Sequence, residues 1–454
     1  MVDSVGSDPG VPCEEPKRVG PGCLALHSHR TLRKFRQKFK NSFLEDTSLT
    51  ELEEIGVGGF AIVRKCRLKS KNGEEEVVAV KELRDSCFSS ERDVDDFFSE
   101  TQLLRLLDNP NVVQFKGVTS EVGNKGPSLA IIQEYMNLGS LKDLLVKQMR
   151  DDEKGLYSWE SGLTWMLQVA RGLAHLHGLK ATVIHRDLKP ENILLTSTNG
   201  GLVRAKIADF GLSAMVRKPK RSYSGIGRAS LNLTENPRKF NKSASLRKQP
   251  SSLPASEGGK RKQLVKGDKF AGSNMIRCST FVEKLFERSS VGSWSWDEAD
   301  PEIGRVSSIQ EEAGPLPVEE KLHDLSGRTG SLMYMAPEVL RSEKYNEKVD
   351  TFSFGVILFE VLSGYKIIYM ILDMNSDPML QIERYAENVA KGFRPPIPAD
   401  WPASIRTLIS DCWAADPMHR PRMKDVVKRL EHILMNRDFT MNVLLKALCC
   451  CPVQ

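Results

Sequence analysis

Between residues 49 and 134, apolar and polar positions alternate in short runs. "LTELEEIGVGGFAIVRKCRL" (49–68) reads as strand, turn and strand, and "EEVVAVKEL" (75–83) adds a β-branched strand. "DVDDFFSETQLLRLL" (93–107) switches to helical spacing, and "SLAIIQEYMNLGSL" (128–141) returns to a strand before a turn. From there the period is helical, as in "TWMLQVARGLAHLHG" (164–178). The pattern predicts an α+β chain in which a small strand-rich lobe, residues 49–133, precedes a larger helical one, residues 134–438.

Three segments fall outside this pattern. Residues 1–48 read as a basic, flexible tail. Within it Leu32, Phe35, Phe39 and Phe43 recur at roughly helical spacing among Arg and Lys. That arrangement fits a solvated arm, a helix docked on the neighbouring domain, or a contact with an anionic membrane. Residues of about 215–327 are rich in Ser, Lys, Arg, Gly and Pro, basic at first and acidic near the end, and read as a disordered insert. Residues 439–454 form a C-terminal tail.

Composition narrows the setting. The chain has 454 residues, 40% of them hydrophobic and 27% charged, as in ordinary globular proteins. A net charge of +6 is modest for this length and gives no direct sign of nucleic-acid binding. The first residues do not look like a secretory or transit signal, and there is no apolar run of about 18 residues. The nine cysteines show neither a paired framework nor zinc-ligand spacing, so a reducing, cytoplasmic location is expected.

The chemistry lies in an ordered series of short motifs. "GVGGFAIV" places Gly56 and Gly58 between two strands, where the missing Cβ lets backbone N–H groups approach phosphate oxygens. Taken alone, it is equally a hairpin turn. "VAVK" follows with Lys81 as a point charge for nucleotide phosphates, and Glu100 on the next helix is a partner for it or an ordinary exposed helix residue. "VIHRDLKPENILL" then offers Asp187 to accept a proton from a substrate hydroxyl, Lys189 to offset charge, and Asn192 to ligate Mg²⁺. Asp209 of "DFG" supplies a Mg²⁺ carboxylate.

The ordered set "GVGGFA", "VAVK", "HRDLKPEN", "DFG" and "APE" resembles the protein kinase family across residues 50 to 435 with the insert excluded. The resemblance implies a bilobal fold with ATP and Mg²⁺ between the lobes. It implies a nucleotide site lined by Ile55, Gly56, Gly58, Val63, Ala79, Lys81, Gln133, Glu134, Met136 and Leu194. In it the backbone around Glu134 to Met136 would meet adenine, with Gln133 as gatekeeper and Leu194 on the floor. It also implies that Glu338 pairs with Arg420 and that Asp350 braces the catalytic loop. "TGSLMYMAPEV" and "PPIPADWPASIRTLISDCWAADPMHRPRM" are similar to the tyrosine-kinase-like group, whose members mostly phosphorylate Ser or Thr, and the resemblance implies the same specificity from Lys189 of "LKPEN" and from Ser331 touching the catalytic Asp and Lys. Ala61 in place of the third glycine, Asn109 in place of a common His, and Phe352 in place of a Trp or Tyr are departures that remove no catalytic group.

On this resemblance the insert enlarges the activation segment, whose order controls such sites. Loop-closure entropy grows only logarithmically with length, so the scaffold tolerates it. Arg186 before the catalytic aspartate implies regulation by phosphorylation, with an upstream kinase acting on Ser326, Thr329 or the "RKPKRSYS" stretch. The bland alternative is an insert with no regulatory task.

The terminal "LCCCPVQ" resembles a farnesylation box at Cys451, with an uncommon Pro452 at its second position, Cys449 and Cys450 as palmitoylation sites and peripheral membrane association as the consequence; the alternative is an incidental, unmodified terminus. The expected activity is transfer of the γ-phosphoryl group of Mg-ATP to Ser or Thr of protein substrates in signalling. A pseudokinase scaffold is the rival. Substrate, pathway and oligomeric state are not written in the sequence.

Overall fold

In the first sheet, strands β1 (Ser48–Val57), β2 (Ala61–Lys69), β3 (Glu75–Leu83), β4 (Phe115–Glu121) and β5 (Pro127–Glu134) lie in the order β1-β2-β3-β5-β4, every neighbouring pair antiparallel. The coordinates are a computed structural model that describes residues 21–44, 48–70, 72–88, 90–121, 127–150, 155–197, 201–217, 325, 331–364, 367, 371 and 377–435. These described residues belong to one compact unit, and a second unit, Pro219–Gly272, lies outside them.

Side chains alternate across a strand, so β3 has two faces with different tasks. Val78 and Val80 are fully buried and pack with Cys66, Ala130 and Ile132. Ala79 and Lys81 occupy the other face. Helix α2 (Glu91–Leu106) follows β3, and its first turn is capped by Ser90, whose side chain accepts a hydrogen bond from the Asp93 amide. Before the sheet comes α1 (Pro21–Lys38).

The chain leaves β5 at Glu134 and becomes helical: α3 (Leu141–Arg150), α4 (Trp159–Gly178), the single turn α5 (Pro337–Leu340), α6 (Lys348–Ser363), α7 (Pro378–Ala390), α8 (Ala403–Cys412) and α9 (Met423–Met435). Two small antiparallel ladders lie between α4 and α5, one pairing β7 (Ile193–Ser197) with β8 (Val203–Ile207), the other β6 (Ala181–Ile184) with β9 (Ala214–Arg217). Together these parts form a bilobal fold: the five-stranded sheet with α2 on one side, the helices on the other.

Helix α6 runs through the centre of the large lobe and is buried on every side from Lys348 to Leu362. Gly355 lets α8 come close, because a Cβ there would lie 2.7 Å from the Cys412 Cβ. Gly364, in the left-handed region at φ 72°, ends the helix.

Two boundaries need correction. Of the alternatives for the tail, residues 30–44 follow the docked helix and not the flexible arm. Leu32, Phe35 and Phe39 are buried in the main core and Phe43 packs against it, so the apolar stripe that would enter a membrane is covered by protein. Arg33, Lys34, Lys38 and Lys40 stay exposed on the outer side. The insert, expected from residue 215, begins later, since Ala214–Arg217 still pair with β6, and near its far end Leu325 packs on the core. Ser326, Thr329, residues 218–224 and Cys449, Cys450 and Cys451 lie outside the described residues.

Candidate active site

The register of the sheet aligns the nucleotide-side residues. Gly56 opposes Val63, and Val63 opposes Lys81, while Ala79 opposes Gln133. Directly opposed residues share a face, so Gly56, Val63 and Lys81 form one row. The Gly58 amide closes the loop on Ala61 O at 2.8 Å, and Ile55 lies exposed at its start. At the lobe junction, buried Met136 packs with Val113 and Ala208 against Leu194. The Glu134 carboxylate accepts from the Gln114 amide at 2.6 Å and from Lys206 at 2.5 Å, which fixes the chain where it passes between lobes.

Lys81 Nζ donates to Glu100 Oε1 at 2.7 Å and to Asp209 Oδ1 at 2.9 Å. Burial would lower the pKa of this ammonium, but the carboxylates of Asp209 and Glu100 outweigh it and push it up. The same Lys81 charge holds the Asp209 carboxyl at about 2, against the opposing effect of burial. Burial raises the Glu100 carboxyl, and Lys81 draws it back only in part. Asp209 has a positive φ of 61°, a strained backbone for a residue with a side chain. Phe210 beside it is buried, its ring 5.2 Å from His185.

The catalytic loop is held from several directions. Asp187 Oδ1 accepts from the Ser331 amide at 2.9 Å, and Oδ2 lies 2.8 Å from Lys189 Nζ and 3.2 Å from Asn192 Nδ2. Asn192 Nδ2 also donates to Asp187 O at 2.8 Å, which leaves its amide oxygen as the atom to offer a cation. Lys189 Nζ donates further to Ser331 Oγ at 3.1 Å. Burial would lower the Lys189 pKa, yet Asp187 raises it overall.

Asp350 braces this loop from inside α6. It accepts from the His185 and Arg186 amides at 2.9 Å each and lies 2.8 Å from His177 Nε2. Burial would raise its pKa, but the bonds from His177 and from His185 bring it below the usual carboxylate range. Arg186, at φ 67°, donates from Nε to Leu212 O at 2.5 Å and thereby touches the start of the activation segment. Arg420 forms a buried two-point pair with Glu338 at 2.7 and 2.9 Å, and its guanidinium lies 4.9 Å from the Phe352 ring centroid.

Motif reading alone did not assign two of these partners. His177 is eight residues upstream of His185 at the end of α4, and nothing in its spacing marks it as a partner of Asp350. Tyr334 donates to buried Glu360 at 2.8 Å, another pair without a sequence signature. Mg²⁺ suits this arrangement: ionised, half-exposed Asp209 and the Asn192 amide oxygen supply hard ligands, and the ion usually takes the rest from phosphate and water. Among the described residues no three His, Cys, Asp or Glu gather into a metal cage of their own.

The description "Protein kinase domain" matches residues 49–230, and "Protein tyrosine and serine/threonine kinase" matches residues 317–430. Between them they cover more than half of the chain, and the gap falls within the insert. The chain is 27% identical over 382 residues to serine/threonine-protein kinase VIK of Arabidopsis thaliana, spanning 84% of this chain and 58% of that protein. It is 26% identical over 374 residues to serine/threonine-protein kinase 12 of the same plant, 82% and 55% respectively. To human mitogen-activated protein kinase kinase kinase 7 it is 25% identical over 386 residues, 85% and 42%. The chain thus spans about half the length of these relatives.

Proposed function

This chain belongs to the protein kinase family, and from that premise we propose that it is a serine/threonine kinase transferring the γ-phosphoryl group of Mg-ATP to protein hydroxyls in signalling. The observation that carries the reading is the continuous chain of contacts Glu100–Lys81–Asp209 beside Asn192–Asp187–Lys189–Ser331. These contacts bring Lys81, Glu100, Asp209, Asn192, Asp187 and Lys189 together, which supports the reading.

Lys81, fixed by Glu100, aligns nucleotide phosphates. Asp187 accepts a hydrogen bond from the incoming Ser or Thr hydroxyl and takes its proton as the new oxygen–phosphorus bond forms and the bond from the γ-phosphorus to the bridging oxygen breaks, with ADP leaving. Lys189 offsets charge on the moving group, and Ser331 keeps Asp187 and Lys189 in register. Mg²⁺, when bound through Asp209 and Asn192, neutralises phosphate charge. Positioning and electrostatics supply most of the rate enhancement, because this reaction asks little covalent chemistry of the protein.

Finer parts of the proposal are an upstream activating kinase and peripheral association with an anionic cytoplasmic surface. The contact of Arg186 with Leu212 O supports the first and the exposed basic side of α1 supports the second.

The test is transfer of labelled phosphate from Mg-ATP to the protein itself and to a generic Ser/Thr substrate, with Asp209→Asn and an insert-deleted form alongside. Transfer by the wild type and none by Asp209→Asn is the expected result. Transfer at the Asp209→Asn background by both intact and insert-deleted chains, even after treatment with activating kinases, would overturn it.

A further inference from the structure

Residues 30–44 precede the stretch that matches the kinase family, which begins at residue 49, yet they are built into the small lobe. Phe35 and Phe39, about one helical turn apart, are 0% and 1% exposed. The Phe35 ring centroid lies 5.3 Å from that of Phe98 and 6.1 Å from that of Phe97, and Phe39 lies 5.9 Å from Phe98. Two cations complete the contact: Lys38 Nζ is 5.5 Å from the Phe98 centroid, and the Arg105 guanidinium is 5.9 Å from that of Phe39.

The same segment is also fixed to the sheet. Arg36 donates from Nε and Nη2 to Ser120 Oγ at 3.0 and 2.6 Å, and the Leu44 amide donates to Val118 O at 3.3 Å. Gly117 makes room for it, since a Cβ there would lie 2.7 Å from Leu44 Cγ and 2.9 Å from Ser42 O. The sequence of β4 is thus shaped to this segment, as the aromatic face of α2 is.

Helix α2 delivers Glu100 to Lys81. At 3.6 residues per turn, Phe98 and Glu100 sit about 160° apart around α2, and Arg105 about 140° from Glu100. Through Phe98 and Arg105 this segment therefore bears on the flank opposite the one that meets Lys81, and through Phe97, about 60° from Glu100, it reaches round toward the near side. A shift of α2 that parts Glu100 from Lys81 would also disturb this ring cluster.

We propose that Phe35 and Phe39 are positioning residues for phosphoryl transfer, acting through α2 to keep Glu100 on Lys81, so that residues 30–44 form a built-in activating strap. This rests on the kinase reading above. The strap makes no contact with substrate; its effect is transmitted only through Glu100.

A double-mutant cycle in the full-length chain tests this. Phe35→Ala is expected to lower kcat about 3- to 30-fold in the wild-type background, and to have no further effect once Glu100→Gln has removed the paired charge. Hydrogen exchange of the amides of residues 91–106 should quicken in Phe35→Ala while those of α6 do not change. Should Phe35→Ala not fold, Phe35→Leu carries the same cycle with a smaller loss of the same sign. Equal losses in the two backgrounds, or exchange at α2 unchanged, overturn the proposal. If the wild type transfers no phosphate at all, the kinase reading is what has failed, and exchange at α2 still decides whether α1 holds that helix.

Discussion

Ser331 Oγ accepts a hydrogen bond from Lys189 Nζ at 3.1 Å, while the Ser331 amide donates to Asp187 Oδ1 at 2.9 Å. One residue at the far end of the activation segment therefore orders both charged groups of the catalytic loop, across 142 positions of sequence.

Removing the hydroxyl should separate the two contacts, because the amide bond survives in Ser331→Ala. A hydrogen bond to a charged group contributes about 1.5–3 kcal/mol, so kcat should fall about 10- to 100-fold. KM for ATP should stay near its wild-type value, since the residue lies on the hydroxyl side of the site, and Ser331→Thr should recover most of the loss. Steady-state kinetics on the three forms would check this; an unchanged kcat in Ser331→Ala would show that Lys189 needs no such support.

The pH response of Asp209 follows from its depressed carboxyl, at about 2 beside Lys81. The ion pair is fully formed above the unfolded carboxyl value of about 3.9 and is lost only as pH falls through the folded value. An acid limb in kcat/KM near pH 5 or 6 therefore belongs to another group. Asp209→Asn should abolish transfer at every pH from 5 to 9 without restoring a shifted profile. A variant with residual activity and a displaced acid limb would contradict that assignment.

The Glu338–Arg420 pair is structural, buried on both sides, with further bonds from Arg420 to Ala414 O and Lys348 O. Arg420→Ala leaves the Glu338 carboxylate in the interior without its partner, a loss of about 3–5 kcal/mol. Glu338→Gln should cost less, because the amide oxygen still accepts from the guanidinium. Denaturant midpoints, compared at constant slope, would rank the two, and equal midpoints for Arg420→Ala and the wild type would deny the pair its role.

How much of this was legible in sequence depended on whether a contact is set by local spacing. Asp187, Lys189 and Asn192 sit within six residues, and Lys81 follows from a strand whose alternation is plain, so their convergence could be read from motifs. Phe35 and Phe39 announced an apolar stripe, but its partner is Phe97 and Phe98, about 60 residues on, and no local rule says which surface a stripe will meet. The edge of the insert was misplaced for a similar reason. Met215 and Val216 look like the start of low-complexity sequence until β6 is there to pair with them. His177 gave no signal because its partner, Asp350, arrives on a helix that packs from elsewhere.

Glu360 gives a stability prediction with a definite sign. It is fully buried in α6; Tyr334 donates to Oε2 at 2.8 Å, and Oε1 has no hydrogen-bond partner among the described residues. Burial, opposed in part by Tyr334, pushes its carboxyl up to about 8. A folded value above the unfolded one means that the native state holds the proton more tightly. The stabilisation is complete below about 4.3 and drains away as pH rises toward about 8. Glu360→Gln keeps an acceptor for Tyr334 and cannot ionise, so its stability should not show this decline. Each pKa unit corresponds to about 1.4 kcal/mol, and 1 kcal/mol moves the melting temperature of a large domain by about 2 °C. Relative to the wild type, Glu360→Gln should thus melt several degrees higher at pH 8.5 than the same comparison gives at pH 5. Calorimetric melts at both pH values would decide it, and a difference independent of pH would mean that Glu360 does not exchange its proton on unfolding.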